Sequence, residues 1–106
     1  MKVGIVIYSD DPETVWNAFR VGNFILAMGD QVGMFLIGSG VEVESLDTEQ
    51  FKVSEQRQQF AGSGGKVLAC GTCLQIHRLQ APDASMVATL KDLYAIMKES
   101  DRILSF

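Results

Sequence analysis

The fold of this 106-residue chain is decided by the stretch Lys66-Val67-Leu68-Ala69-Cys70-Gly71-Thr72-Cys73-Leu74-Gln75-Ile76-His77-Arg78. Its first part, Val67 to Cys70, is a short apolar run that predicts a buried strand. Gly71 ends that run, and the Thr72 hydroxyl can accept a backbone N–H as the cap of a helical turn. The sequence therefore predicts a strand that leads directly into the start of a helix.

The same stretch holds both cysteines and the only histidine of the chain. Cys73 falls in the first turn of the predicted helix, where unpaired N–H groups and the helix dipole favour a thiolate over a thiol. Cys70 lies at the end of the predicted strand. A free cysteine in a buried strand is explained equally well by packing and by a chemical role. His77 follows Cys73 by four residues and shares its face if the helix continues. We therefore predict that Cys73 is a reactive thiol with His77 and Arg78 as its neighbours.

Composition and charge limit the function classes. Apolar residues make up 47% of the chain, and the mean hydropathy of +0.15 predicts that some apolar surface is buried against another subunit. The net charge is −4 and there is no basic stripe, which argues against direct nucleic-acid binding. No apolar run reaches the length of about 18 residues needed to span a membrane, and the apolar run after Lys2 is too short for a secretory signal.

We therefore expect a cytoplasmic protein without a membrane partner. In a reducing compartment, two cysteines favour catalytic, redox or metal chemistry over a structural disulfide. Two cysteines and one histidine are fewer than the four ligands of a structural zinc site. Accordingly, no metal or cofactor is expected.

Outward from the central stretch, apolar strands alternate with helical patterns. Strands are predicted near residues 2–8, 31–37, 66–70 and 102–106. Helices are predicted from Pro12 to Met28 with Asp11 as cap, from Glu55 to Gly62 after a Ser54 cap, and from Met86 to Lys98 after a Ser85 cap. The segment from Val41 to Leu46 fits either a short helix or an ordered loop. The alternation predicts one α/β domain, residues 1–106, with a mainly parallel sheet and helices on both faces.

Chemistry-bearing residues follow several of the predicted strands. In an open parallel sheet, ligands bind outside the carboxyl ends of the strands. The loops that leave those ends carry Asp10 and Asp11, then Gly38-Ser39-Gly40, then Cys70-Gly71-Thr72-Cys73. The Gly-Ser-Gly turn can hold an anion through backbone N–H groups, although it lacks the dinucleotide and Walker patterns. The candidate binding residues are Gly38, Ser39, Gly40, Gly71, Thr72, His77 and Arg78.

The whole chain resembles the DsrE/DsrF-like family of small sulfur-relay proteins, whose members include subunits of tRNA thiolation and of sulfur oxidation. The most specific part of the resemblance is Gly-Gly-Lys-Val-Leu-Ala-Cys-Gly-Thr-Cys-Leu, residues 64–74. The opening strand, the Trp- and Phe-containing first helix, the Gly-x-Gly turn and the closing Asp-Arg-Ile-Leu-Ser-Phe are also similar. Many relatives carry Arg-Gly where this chain has His77-Arg78, and some have a single cysteine that aligns nearer Cys70.

The resemblance implies a three-layer α/β/α sandwich, assembly into trimers or hexamers, and a persulfide carried on a cysteine of this block. We therefore predict a sulfur-relay protein that takes sulfur from a donor protein and passes it to an acceptor protein. Either Cys73 or Cys70 can be the carrier in this hypothesis. Two alternatives remain open, namely a non-catalytic subunit that binds a small ligand or a partner, and a dithiol/disulfide redox protein that uses the Cys-x-x-Cys pair.

Overall fold

In the computed structural model, which describes residues 1–106, five strands form a single sheet in which every pair is parallel. The strands are β1 (Lys2–Ile7), β2 (Gln31–Leu36), β3 (Lys66–Cys70), β4 (Val87–Ala88) and β5 (Arg102–Ser105). Their order across the sheet is β4-β3-β2-β1-β5. The predicted α/β fold with a mainly parallel sheet is confirmed, and β3 lies inside the sheet with only the short β4 beyond it.

The helices are α1 (Pro12–Ala27), α2 (Val53–Gly62), α3 (Gly71–Ile76) and α4 (Leu90–Glu99). Two 3₁₀ helices also occur, Ala84–Met86 and Gly38–Ser45, and the second is called the 38–45 helix below. The segment around Val41, which the sequence left between helix and loop, is therefore helical. No helix is long and apolar enough to cross a membrane.

The larger part of the core lies between the sheet and the pair α1 and α2. Asp11 caps α1 as predicted, because its carboxylate accepts the Thr14 N–H at 2.9 Å and Pro12 occupies the first helical position. Phe19 of α1 meets Phe60 of α2 edge to face, with ring centroids 5.8 Å apart. Both rings are fully buried, and burial of each contributes roughly 1.5–3 kcal/mol. This pair joins the two helices over one face of the sheet.

The opposite face of the sheet is covered mainly by α4. Phe35, Cys70 and Ala88 form a small buried cluster there, and Leu93 and Ile96 of α4 pack against it. Side chains alternate across a strand, so Cys70 belongs to this second cluster whereas Ala69 belongs to the larger one. Helices on both faces make the predicted three-layer sandwich.

The predicted helix from Met86 to Lys98 begins too early. Ser85 lies in the short 3₁₀ helix, and Val87 and Ala88 form β4. The helix starts at Leu90 after Thr89, which forms a capping box with Asp92. The Asp92 carboxylate accepts the Thr89 N–H at 2.8 Å, and this reciprocal cap satisfies two groups that a Ser85 cap would leave unpaired.

The predicted Ser54 cap is also wrong. Helix α2 starts at Val53, so Ser54 lies inside its first turn. The Ser54 N–H donates to the Asp47 carboxylate at 2.8 Å. A carboxylate seven residues upstream therefore takes the capping role that the sequence pattern assigned to the serine.

Several large apolar side chains of α4 are exposed. Leu93 packs inward, but Leu90, Tyr94 and Met97 are 63%, 61% and 54% exposed. These three residues are called the α4 flank below. Their spacing places them on one side of the helix, where they form an exposed apolar surface.

Gly40 should tolerate no side chain. A Cβ placed on Gly40 would lie 2.0 Å from the carbonyl oxygen of Ile7, which is a backbone atom of β1. We expect Gly40→Ala to lower the free energy of unfolding by at least about 2 kcal/mol through overpacking, measured by urea denaturation. Gly33→Ala is the matched control, because a Cβ there meets nothing within 4 Å. Equal stability of the two variants would contradict the close contact.

Candidate functional site

The site forms where β2 and β3 end side by side. Leu36 pairs with Ala69 at the last step of their parallel ladder, so the residues that follow each strand emerge at the same edge. Gly38 has a φ of +57°, a conformation that glycine adopts without steric cost. Its N–H donates to the Cys73 Sγ at 3.2 Å. The turn after β2 thus directs a backbone donor at the thiol that follows β3.

The two cysteines lie at the junction of β3 and α3. Cys70 is the N-cap residue of α3 but makes no side-chain capping bond, and it is only 6% exposed. Cys73 is the third residue of α3 and is partly exposed. Their thiols lie close to each other. Thr72 was predicted as the cap, but it is an exposed residue of the first turn, because the helix starts two residues earlier, at Gly71.

Burial raises the pKa of the Cys73 thiol, which is the reverse of the sequence prediction. The neighbouring Cys70 thiol raises it as well, and the Gly38 N–H bond lowers it by a smaller amount than burial raises it. Cys73 packs against the apolar clusters on both faces of the sheet, and an apolar environment disfavours the charged form. The helix start is therefore not sufficient to make Cys73 a thiolate.

Glu42 is a site residue that the sequence analysis missed. Its Oε1 lies 2.9 Å from Nδ1 of His77, and both side chains are about three-quarters buried. A carboxylate has no proton to donate, so Nδ1 carries the hydrogen in this contact. Glu42 belongs to the 38–45 helix and is 35 residues from His77. Glu42 and His77 come together because β2 and β3 pair in the folded sheet.

The remaining predicted binding residues lie around the same edge. Ser39 belongs to the 38–45 helix and Gly71 begins α3. Arg78 has a φ of +55° and is exposed without an ion pair. Helix α3 ends there in a Schellman motif, with the Leu79 N–H bonded to the Leu74 carbonyl at 2.9 Å. Asp11 caps α1 and lies outside this group.

Neither of the two main cavities is lined by Cys70 or Cys73. A cavity of about 540 Å³ lies at the opposite, amino-terminal edge of the sheet, where Lys2, Gln31 and Lys66 line it. A small apolar cavity of about 70 Å³ lies beside the 38–45 helix, between Leu36, Leu74 and Met86. No group of three or more potential metal-ligating side chains converges anywhere. Cys73 is thus reached from the surface of the protein.

The thiol of Cys73 should ionise at a higher pH than an ordinary cysteine. In a Cys70→Ala variant, Cys73 is the sole thiol, and its thiolate can be followed by absorbance near 240 nm. Burial disfavours the thiolate, so we expect the midpoint of the titration to lie above that of the same protein in denaturant. A midpoint below the denatured value would contradict the burial argument and restore the helix-dipole interpretation.

Comparison with known proteins assigns the chain to a family. The model of the DsrE/DsrF-like family matches residues 1–106. An uncharacterised protein of Methanocaldococcus jannaschii is 29% identical over 110 residues, covering 95% of this chain and 96% of that protein. An uncharacterised protein of Methanopyrus kandleri is 31% identical over 110 residues, covering 95% of this chain and 91% of that protein. The chain belongs to the DsrE/DsrF-like family, as the cysteine block and its neighbours predicted.

Proposed function

We propose that this protein is a sulfur relay that carries a persulfide on Cys73. The observation that carries the proposal is the partly exposed Cys73 thiol at the sheet edge, with the Gly38 N–H donated to its sulfur. Membership of the DsrE/DsrF-like family supports a role related to sulfur relay. The reducing cytoplasm is the proposed location, since the free thiols of Cys70 and Cys73 would persist there.

The first step loads the carrier. The Cys73 thiolate attacks the outer sulfur of a donor persulfide, R–S–SH, because the thiolate is the nucleophilic form. A bond forms between Cys73 Sγ and that sulfur, the S–S bond of the donor breaks, and the donor leaves as the thiolate R–S⁻. Cys73 then holds the group S–SH. Atoms and charge balance without an external oxidant or reductant.

The second step unloads the carrier by the same chemistry. A thiolate of the acceptor protein attacks the outer sulfur of the Cys73 persulfide, and Cys73 leaves as a thiolate. The Gly38 N–H is placed to stabilise negative charge on Sγ in both steps. A surface thiol outside any large cavity suits transfer between docked proteins, because two sulfur atoms on different chains must come into contact.

Cys73 rather than Cys70 is the proposed carrier, because Cys70 is almost fully buried in the cluster beneath α4. Cys70 also creates a competing reaction. Its thiolate can attack Sγ of the Cys73 persulfide, which forms the Cys70–Cys73 disulfide and releases hydrosulfide. The sulfane sulfur is then reduced and the two thiols are oxidised. For the relay to work, the acceptor thiolate must therefore attack the Cys73 persulfide faster than Cys70 does.

The proximity of the two thiols favours the redox alternative as a second candidate. In that function the Cys70–Cys73 pair cycles between dithiol and disulfide with an external thiol–disulfide couple. The raised pKa of Cys73 does not separate this function from the relay, because both begin with attack by a thiolate. A purely binding subunit has at this edge a cavity of only about 70 Å³, which Glu42 and Leu74 help to line. It predicts no covalent chemistry at either cysteine.

The α4 flank supports a homo-oligomer as a further part of the proposal. Leu90, Tyr94 and Met97 form an exposed apolar surface, of the kind that mediates association. The expected trimer or hexamer is taken from the family, since the flank itself does not set a stoichiometry. The donor and acceptor proteins would then meet Cys73 on the assembled particle.

Charge on the α4 flank should disrupt that assembly. We expect wild-type protein to be oligomeric by light scattering at micromolar concentration, and Tyr94→Glu to shift it towards monomer, because a buried unpaired carboxylate is costly. Phe24→Glu is the matched control on α1, where Phe24 is 68% exposed. A monomeric wild type would end the oligomer proposal, and dissociation by Phe24→Glu alone would move the interface to α1.

Intact mass after incubation with a persulfide donor tests the relay directly. One added sulfur raises the mass by about 32 Da. We expect this adduct on the reduced, folded wild type and on Cys70→Ala, and its loss in Cys73→Ala. A mass lower by about 2 Da in the wild type, from disulfide formation, would favour the redox alternative only if Cys70→Ala formed no adduct, because a loaded relay also forms this disulfide when Cys70 attacks. Absence of any mass change in the folded protein would contradict both and leave the binding subunit.

A further inference from the structure

Two hydrogen bonds link the 38–45 helix to α3 and to His77, the residue that caps the end of α3. The Gly38 N–H donates to Cys73 Sγ at 3.2 Å, and four residues later on both segments the Glu42 carboxylate accepts from His77 at 2.9 Å. Both contacts span 35 positions of sequence. These are the hydrogen bonds that connect the two helices, so the second contact helps to set the geometry of the first.

We propose that Glu42 is a positioning residue for Cys73. Acting through His77, it holds the 38–45 helix against α3 and so keeps the Gly38 N–H directed at the Cys73 sulfur. The value of this positioning in sulfur transfer rests on the proposed relay. The positioning itself is a property of the free thiol and can be measured without any transfer.

The Glu42–His77 contact is well placed for this role because α3 has little stability of its own. A helix of six residues is not stable in isolation, so its orientation depends on neighbouring groups. Leu74 packs one side of α3 against the apolar core. The Glu42–His77 contact holds the C-terminal end of the helix in place. The contact is partly buried, and a hydrogen bond to a charged group is stronger than one between neutral groups.

Positioning and simple electrostatics predict opposite results when Glu42 is changed. A carboxylate near a thiol disfavours the thiolate, so removal of the Glu42 charge alone should increase the thiolate fraction of Cys73. Loss of positioning should instead decrease it, because the Gly38 N–H then binds the sulfur less well. The sign of the change therefore separates the two effects.

The test compares three variants in the Cys70→Ala background, where Cys73 is the sole thiol. Glu42→Ala removes the contact and the charge, whereas Glu42→Gln removes the charge but keeps a carbonyl oxygen that can accept from His77. Glu44→Ala is the matched control, because Glu44 lies on the same helix and pairs with Arg57 at 3.0 Å instead of with α3. The readout is the thiolate fraction from absorbance near 240 nm at a fixed pH below the titration midpoint.

We expect Glu42→Ala to lower the thiolate fraction by about threefold, which is less than the loss of a full hydrogen bond to a charged group. Glu42→Gln and Glu44→Ala should stay close to the parent protein. A higher thiolate fraction in both Glu42 variants would overturn the proposal in favour of a pure charge effect. Equal fractions in Glu42→Ala and the parent would also overturn it.

The Gly38 amide supplies a second, direct readout. In ¹⁵N-resolved spectra, we expect Glu42→Ala to accelerate hydrogen exchange of this amide, and His77→Phe to do the same by removing the other partner. Combining both changes should add nothing further, because they remove a single contact. Unchanged exchange in both variants would contradict the positioning. A sulfur adduct that never forms would end the relay proposal while leaving this coupling measurable.

Discussion

The parallel pairing of β2 with β3 is the interaction on which the rest of the site depends. Its register runs from Gly33 opposite Lys66 to Leu36 opposite Ala69, so both strands end at the same level. The Gly38 N–H meets Cys73 only because of this alignment. A slip of one residue would turn each side chain to the other face, moving Cys70 out of the cluster beneath α4. The packing of the apolar core thus fixes the positions of Cys70 and Cys73 at the edge of the sheet.

The same packing that builds the site opposes ionisation of its thiol. Cys73 touches the apolar clusters on both sides of the sheet, and burial raises its pKa. A thiolate derived from a thiol of higher pKa is intrinsically more nucleophilic, although less of it is present. A raised pKa is therefore compatible with sulfur transfer. In the proposed relay, the fraction of Cys73 present as thiolate, and hence the Gly38 N–H bond to its sulfur, would control the rate of sulfur transfer.

Much of this structure could be predicted from the sequence, and the failures have physical causes. Long apolar strands, the Asp11 cap and the convergence of Gly38 with the cysteines follow from local patterns and parallel topology. Strand β4 has only two residues, too few to show any periodicity. The pKa direction of Cys73 was wrong because sequence position indicates the helix dipole but not the burial of the thiol. Glu42 was missed because its partner is 35 residues away.

Helix α3, which carries Cys73 at the edge of the sheet, has little stability of its own. Arg78 ends this helix in a left-handed conformation that costs a residue other than glycine roughly 1–2 kcal/mol. Arg78 keeps this conformation because Leu74 and Leu79, on either side of the turn, pack against the core. The orientation of Cys73 therefore comes from contacts across the sheet edge rather than from helix propensity.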